Sequence, residues 1–150
     1  MTASGTCAAL LSVLFLACGP PEADRAQAGD ITVLGGHAFA PVGPEAAAYV
    51  SLKNSGRIED TLLAVGSPIS DTVTLHESSR EGGGVRMVQL SQLVMPAGMV
   101  IEMAPGDLHL MLLHLRVPMQ SGKKLPLRLW FARAGLLEIE VPISRYGETR

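Results

Sequence analysis

Two histidines and two methionines stand in the order His76, ten residues, Met87, twenty-one residues, His109, one residue, Met111. Imidazole nitrogen and thioether sulfur together suit Cu(I), a soft ion that takes sulfur and aromatic nitrogen in preference to oxygen. Cysteine thiolate also favours Cu(I), but in an oxidising compartment it is lost to disulfides and sulfenic acids. A thioether coordinates without shedding a proton and oxidises less readily, so a His/Met set is the ligand choice expected outside the cytosol. Taken singly, a methionine on a strand usually fills the core and a lone histidine usually lies on the surface. The pattern gains meaning as a set of four.

Four side chains can meet on one ion only if their elements present them on one surface, and the surrounding sequence reads as β-strands. In Thr72-Val73-Thr74-Leu75-His76 the apolar Val73 and Leu75 share one face, leaving Thr72, Thr74 and His76 on the other. The Gly-rich stretch 77–84 reads as a hairpin loop. If it brings Val85 opposite His76, Met87 becomes a diagonal neighbour on that face, about 7–8 Å away. His109 and Met111 are two apart on the next apolar strand, opposite Leu108, Leu110 and Leu112. Pro105-Gly106-Asp107 supplies the turn before them, so His109 is expected at a strand entrance. All four residues are thus expected to avoid the core. Met99, Ile101 and Met103 share another strand face and are read as core.

Short β-rich runs separated by turn residues cover the rest: 31–34, 47–54, 60–65, 72–76, 85–90, 99–103, 108–113, 125–132 and 136–141. Leu125, Leu127, Leu129 and Phe131 alternate with Lys124, Arg128 and Trp130, and Leu137, Ile139 and Val141 alternate with Glu138 and Glu140. No long amphipathic helix is visible. One-sided strands at this spacing predict an all-β fold, a sandwich or Greek-key barrel.

With 150 residues, 47% of them hydrophobic, the chain is long enough for one domain with a real core. Its net charge of −2 and its scattered basic residues leave no stripe to neutralise phosphates, so nucleic-acid binding is not expected. The N-terminus differs in kind. Ala8-Ala9-Leu10-Leu11-Ser12-Val13-Leu14-Phe15-Leu16-Ala17 is an uncharged apolar run ending at Cys18-Gly19, shorter than the roughly 20 residues that span a bilayer, and it reads as an export signal. Phe15-Leu16-Ala17-Cys18 resembles a lipobox, which makes Cys18 a candidate lipidation site. Cleavage near Ala17, Ala26 or Ala28 is the alternative, and the lack of Lys or Arg before the run leaves the true start site open. The expected organisation is a signal over 1–18, a flexible spacer over 19–29, a copper-binding domain over 30–145 and a tail over 146–150.

Both cysteines, Cys7 and Cys18, fall in the signal, so the expected domain has neither a disulfide nor a thiolate ligand. A cysteine nucleophile and a blue-copper centre are excluded with them. There is no Gly-x-Ser-x-Gly and the carboxylates are dispersed, so an enzyme is not expected.

The four-residue spacing, together with Ala47-Ala48-Tyr49-Val50-Ser51-Leu52-Lys53-Asn54, Thr74-Leu75-His76-Glu77, Met95-Pro96-Ala97-Gly98 and Pro105-Gly106-Asp107-Leu108-His109-Leu110-Met111-Leu112, resembles the periplasmic PCu(A)C copper-chaperone family over roughly residues 30–142. The resemblance implies a cupredoxin-like β-sandwich that binds Cu(I) through His76, Met87, His109 and Met111, and the chain is expected to be a monomer. It also implies delivery to a copper-accepting protein such as the binuclear centre of cytochrome c oxidase, alongside a Sco-type thiol protein. Copper storage or detoxification, and a structural β-sandwich interaction domain, are the competing readings.

Two departures stand out: His37 occupies the position of a usual tryptophan after the first strand, and His114 that of a common glycine. His37 is expected as a surface or turn histidine, with an accessory ligand as the alternative. The ending Ser144-Arg145-Tyr146-Gly147-Glu148-Thr149-Arg150 lacks the His/Met-rich tail of some relatives, so a second, Cu(II)-type site is not expected.

Overall fold

The computed structural model describes residues 26–147 other than 82–83. The export signal, Cys18, most of the spacer and the last three residues lie outside the described residues. The strands are β1 (Gln27–Ala28), β2 (Ile31–Phe39), β3 (Ala46–Asn54), β4 (Asp60–Gly66), β5 (Ser70–Glu81), β6 (Gly84–Leu90), β7 (Leu93–Met95), β8 (Val100–Glu102), β9 (Leu108–Leu115), β10 (Lys124–Phe131) and β11 (Gly135–Ser144). No helix occurs among the described residues.

Seven strands close into a barrel in the order β2, β11, β10, β4, β5, β9, β3 and back to β2. The seam of β11 with β2 is parallel, through Ile143 beside Ala38 and Ser144 beside Phe39, and the other six are antiparallel. The expected all-β sandwich or barrel is therefore a barrel. Its interior follows from the two-residue alternation of strands. Leu125, Leu127, Leu129 and Phe131 from β10 point inward with Leu137, Ile139, Val141 and Ile143 from β11, each no more than 7% exposed. Leu108, Leu110 and Leu112 of β9 face Val73 and Leu75 of β5 in the same core. Fully burying each such leucine contributes about 1.5–3 kcal/mol.

Three local expectations are corrected. The first strand does not end at Leu34 but runs on as β2 through a β-bulge, where Val33 pairs with Leu52 and Gly35 already pairs with Ser51. The extra residue is Leu34, which lies between the paired Val33 and Gly35. Gly36 is required by space: a Cβ there would lie 2.7 Å from the Val141 side chain and 2.9 Å from the Tyr49 carbonyl. The extra residue inverts the alternation, so that His37 and Phe39 face outward. Second, β5 does not stop at His76 but continues to Glu81, and the expected loop 77–84 is mostly paired strand. Third, Met99 is 55% exposed, because the strand starts only at Val100, after a turn in which the Met99 N–H donates to the Pro96 carbonyl. Met103, by contrast, is buried.

Two short strands escaped the sequence reading. β7 crosses β4 through Asp60 beside Met95, and β1 pairs with β2 within the stretch read as spacer. At three and two residues, neither is long enough to show an alternation.

Candidate metal centre

The outer surface of the barrel carries a transverse row of rings. His37 on β2 is the cross-strand partner of Tyr49 on β3, and His76 on β5 is the partner of His109 on β9. Between the two pairs, Ala47 and Ala48 of β3 lie beside Met111 and Leu110 of β9, so the register carries Tyr49 alongside His109. Ring centroids are 4.9 Å apart for His37 and Tyr49, 6.4 Å for Tyr49 and His109, and 5.7 Å for His109 and His76. Phe39 and Tyr146 extend the aromatic cover at the β2 end.

The two histidines the sequence singles out are thus brought side by side. Their strands put them there for a local reason: Val73, Leu75, Leu110 and Leu112 are drawn inward, which leaves the alternate positions facing out. Facing out does not mean exposed. His109 is only 6% exposed, with the Tyr49 ring on one side and the His76 ring on the other, so it avoids the core as expected yet is covered by its neighbours. Met111 shares its face two residues further along β9, opposite Thr74.

Met87 is placed by a different register from the one expected. Gln89, not Val85, lies opposite His76, and Val85 lies opposite Arg80, because the hairpin is longer than its glycines suggest. Met87 faces Ser78, two residues beyond His76, and so remains a diagonal neighbour of His76 on the same surface. It is 48% exposed.

Hydrogen bonds fix both imidazoles. Nδ1 of His109 donates to the Asp107 carbonyl at 2.9 Å, which leaves the Nε2 lone pair available. Nε2 of His76 lies 2.9 Å from the Thr74 hydroxyl, while its Nδ1 is buried with no hydrogen-bond partner. Burial, and secondarily the neighbouring His109, lower the His76 pKa below the ordinary imidazole value, favouring the neutral form that a metal requires. Burial, with a further contribution from Tyr146, raises that of the Tyr49 phenol.

The donor set fits a soft ion. Among the described residues no three His, Cys, Asp or Glu side chains converge as a metal-binding group, so a zinc-type or carboxylate-type centre has no basis there. What the surface offers is an orphaned imidazole nitrogen, a second imidazole locked with a free lone pair, and thioethers on either side.

His37 lies on the barrel's outer surface, as one of its expected readings had it, but in a strand rather than a turn. It is half-buried within β2 and stacked on Tyr49, whose ring stands between it and His109. A flat ring thus fills the tryptophan position. His114, at the position of a common glycine, has φ +53, the left-handed region that glycine enters most freely. Sequence reasoning did not single out Tyr49 or Thr74 as part of the site. Tyr49 stood inside a quoted motif, and Thr74 lies two residues before His76 on its outward face.

These features define a class, the closed β-barrel of PCuAC domains. The structure named "Copper-bound PCuAC domain from PmoF2" superposes with a TM-score of 0.70 at 22% identity, covering 81% of this chain and 97% of that one. The solution structure of CuI-DR1885 from Deinococcus radiodurans gives 0.60 at 19% identity, covering 85% of each. At such identities the likeness is one of fold. The chain belongs to the family described as "Putative lipoprotein LpqE-like", whose model matches residues 26–143. A relative from Leifsonia xyli subsp. xyli, named "Putative lipoprotein Lxx21020", is 28% identical over 102 residues, or 67% of this chain. The match spans 61% of that relative's length. The resemblance to PCu(A)C proteins drawn from the sequence motifs is borne out.

Proposed function

We propose that this protein is a non-enzymatic Cu(I) carrier in which His76, His109, Met87 and Met111 bind the ion. The observation that carries the reading is the His76–His109 pair, juxtaposed across two strands with one nitrogen of each free to accept an electrophile and a thioether two residues from His109 on the same face. Copper in two proteins of the same fold supports it. A partly exposed site matches a carrier, because a partner's ligands must reach the ion before the carrier's release it.

The acceptor we infer is an extracytoplasmic copper protein, with the binuclear centre of cytochrome c oxidase as the first candidate and a Sco-type thiol protein alongside. Mixing the Cu(I)-loaded chain anaerobically with a soluble domain bearing that centre tests this. Metal should pass to the acceptor. Retention by a chain that binds tightly would favour storage instead.

Export and a lipid anchor at Cys18 complete the proposal, supported by the lipoprotein description of the family and of the Leifsonia relative. Cys18→Ser should move the protein from the membrane to the soluble fraction, and a wild type found wholly soluble would contradict the anchor.

A further inference from the structure

The two imidazoles are held by different kinds of partner. His109 is tied to backbone: its Nδ1–H donates to the Asp107 carbonyl, which also accepts the Ser78 N–H at 3.2 Å and so anchors β5 and β9 together. His76 is tied to a side chain, Thr74, two residues back on the outward face of β5. The Thr74 hydroxyl in turn reaches the carbonyl of Met111, its cross-strand partner, at 3.5 Å.

Two proton placements are compatible with these contacts. If Nδ1 of His76 carried the proton, a buried N–H would have no acceptor, while the Thr74 hydroxyl donated to Nε2. If Nε2 carries it, that N–H donates to Thr74 Oγ1, the hydroxyl hydrogen turns to the Met111 carbonyl, and Nδ1 is left as a bare lone pair. A buried donor without an acceptor is the rarer and costlier defect, so the second arrangement prevails. It also converts the one orphaned buried side-chain nitrogen among the described residues into a place for an electrophile.

We propose that Thr74 is a positioning residue that holds His76 in the Nε2–H tautomer, so that Cu(I) meets the two histidines through different nitrogens, Nδ1 of His76 and Nε2 of His109. This rests on the reading of both histidines as ligands. Supporting hydrogen bonds of this kind orient a ligand ring and raise its basicity. Here the same hydroxyl reaches the backbone of Met111, so one side chain links two of the four ligands.

Nitrogen-15 shifts of the imidazoles in copper-free protein test the proposal without the metal. At about pH 8.5, some two units above the ordinary imidazole pKa, His76 should carry its proton on Nε2 and His109 on Nδ1. Thr74→Val keeps the branched shape and removes both hydrogen bonds. It should leave His76 as a mixture of tautomers and weaken Cu(I) binding about tenfold, with His109 unchanged. Thr74→Ser should restore both. A wild-type His76 protonated on Nδ1, or a Thr74→Val protein with unaltered tautomer and affinity, would overturn the proposal. A wild type that binds no Cu(I) would remove the ligand reading and the copper half of the proposal, while the tautomers would still decide what Thr74 does.

Discussion

The β5–β9 pair and the β5–β6 hairpin present the two halves of the site in opposite ways. On β5 and β9, His76 and His109 are flanked by neighbouring rings, hydrogen-bonded through one nitrogen each, and backed by a core in which Leu110 and Leu112 are fully buried. On the hairpin, Met87 projects from a strand that, among the described residues, pairs only with β5, and it is 48% exposed, with Val85 and Val88 also open to solvent. The difference assigns a division of labour. On the proposed function, the preorganised nitrogen half would supply affinity, whereas the exposed thioether would swing away and let an acceptor's ligand replace it.

The largest effect is expected for His109→Ala. It should weaken Cu(I) at least about 100-fold, the upper end of what loss of a supporting contact alone produces. Because His109 is buried, the same change should also cost about 1–2 kcal/mol of folding stability, read by chemical denaturation. Unchanged affinity would remove His109 from the ligand set.

Met87→Ala should be milder on both counts: about tenfold in affinity, or about 1.4 kcal/mol. Its stability should stay within about 0.5 kcal/mol, as at other exposed positions. Chelator competition measures the first and a urea melt the second. If Met87→Ala matched His109→Ala in affinity loss, the division of labour would be wrong.

His114→Gly serves as a control away from the four residues. His114 is held in the left-handed region at φ +53, and a glycine there should gain about 1 kcal/mol of stability with copper affinity unchanged. A loss of stability would mean that the His114 side chain makes a contact outweighing the backbone strain.

The smallest effect concerns pH. Burial, then His109, lower the His76 pKa, so the unfolded chain protonates this residue before the folded one does. Stability of the copper-free protein should be unaffected by this group above about pH 6.5, fall as pH drops from there towards the lowered folded value, and level off below it. Comparing denaturation midpoints of wild type and His76→Gln across pH 7.5 to about 4.5 isolates this contribution. Identical profiles would mean that His76 is not shielded from protonation.

The strands that build the nitrogen half were legible in the sequence because they alternate: Val73 and Leu75 inward fix His76 outward, and Leu108, Leu110 and Leu112 do the same for His109 and Met111. The same alternation made the inward residues of β10 and of β11 as far as Val141 readable, although β11 runs on to Ser144 and adds Ile143 to the core. What escaped reading depends on register rather than period. The bulge at Leu34 that turns His37 outward, and the extension of β5 to Glu81 that sets Gln89 rather than Val85 against His76, arise from pairing with a distant or returning strand. The burial of His109 was hidden likewise, since its cover comes from Tyr49, sixty residues away.

Anaerobic titration with Cu(I), followed by X-ray absorption of the bound metal, reads the proposed ligand set itself. One Cu(I) per chain is expected, with both nitrogen and sulfur scatterers bound directly to it. A shell of oxygen alone, or the absence of stoichiometric binding, would contradict it.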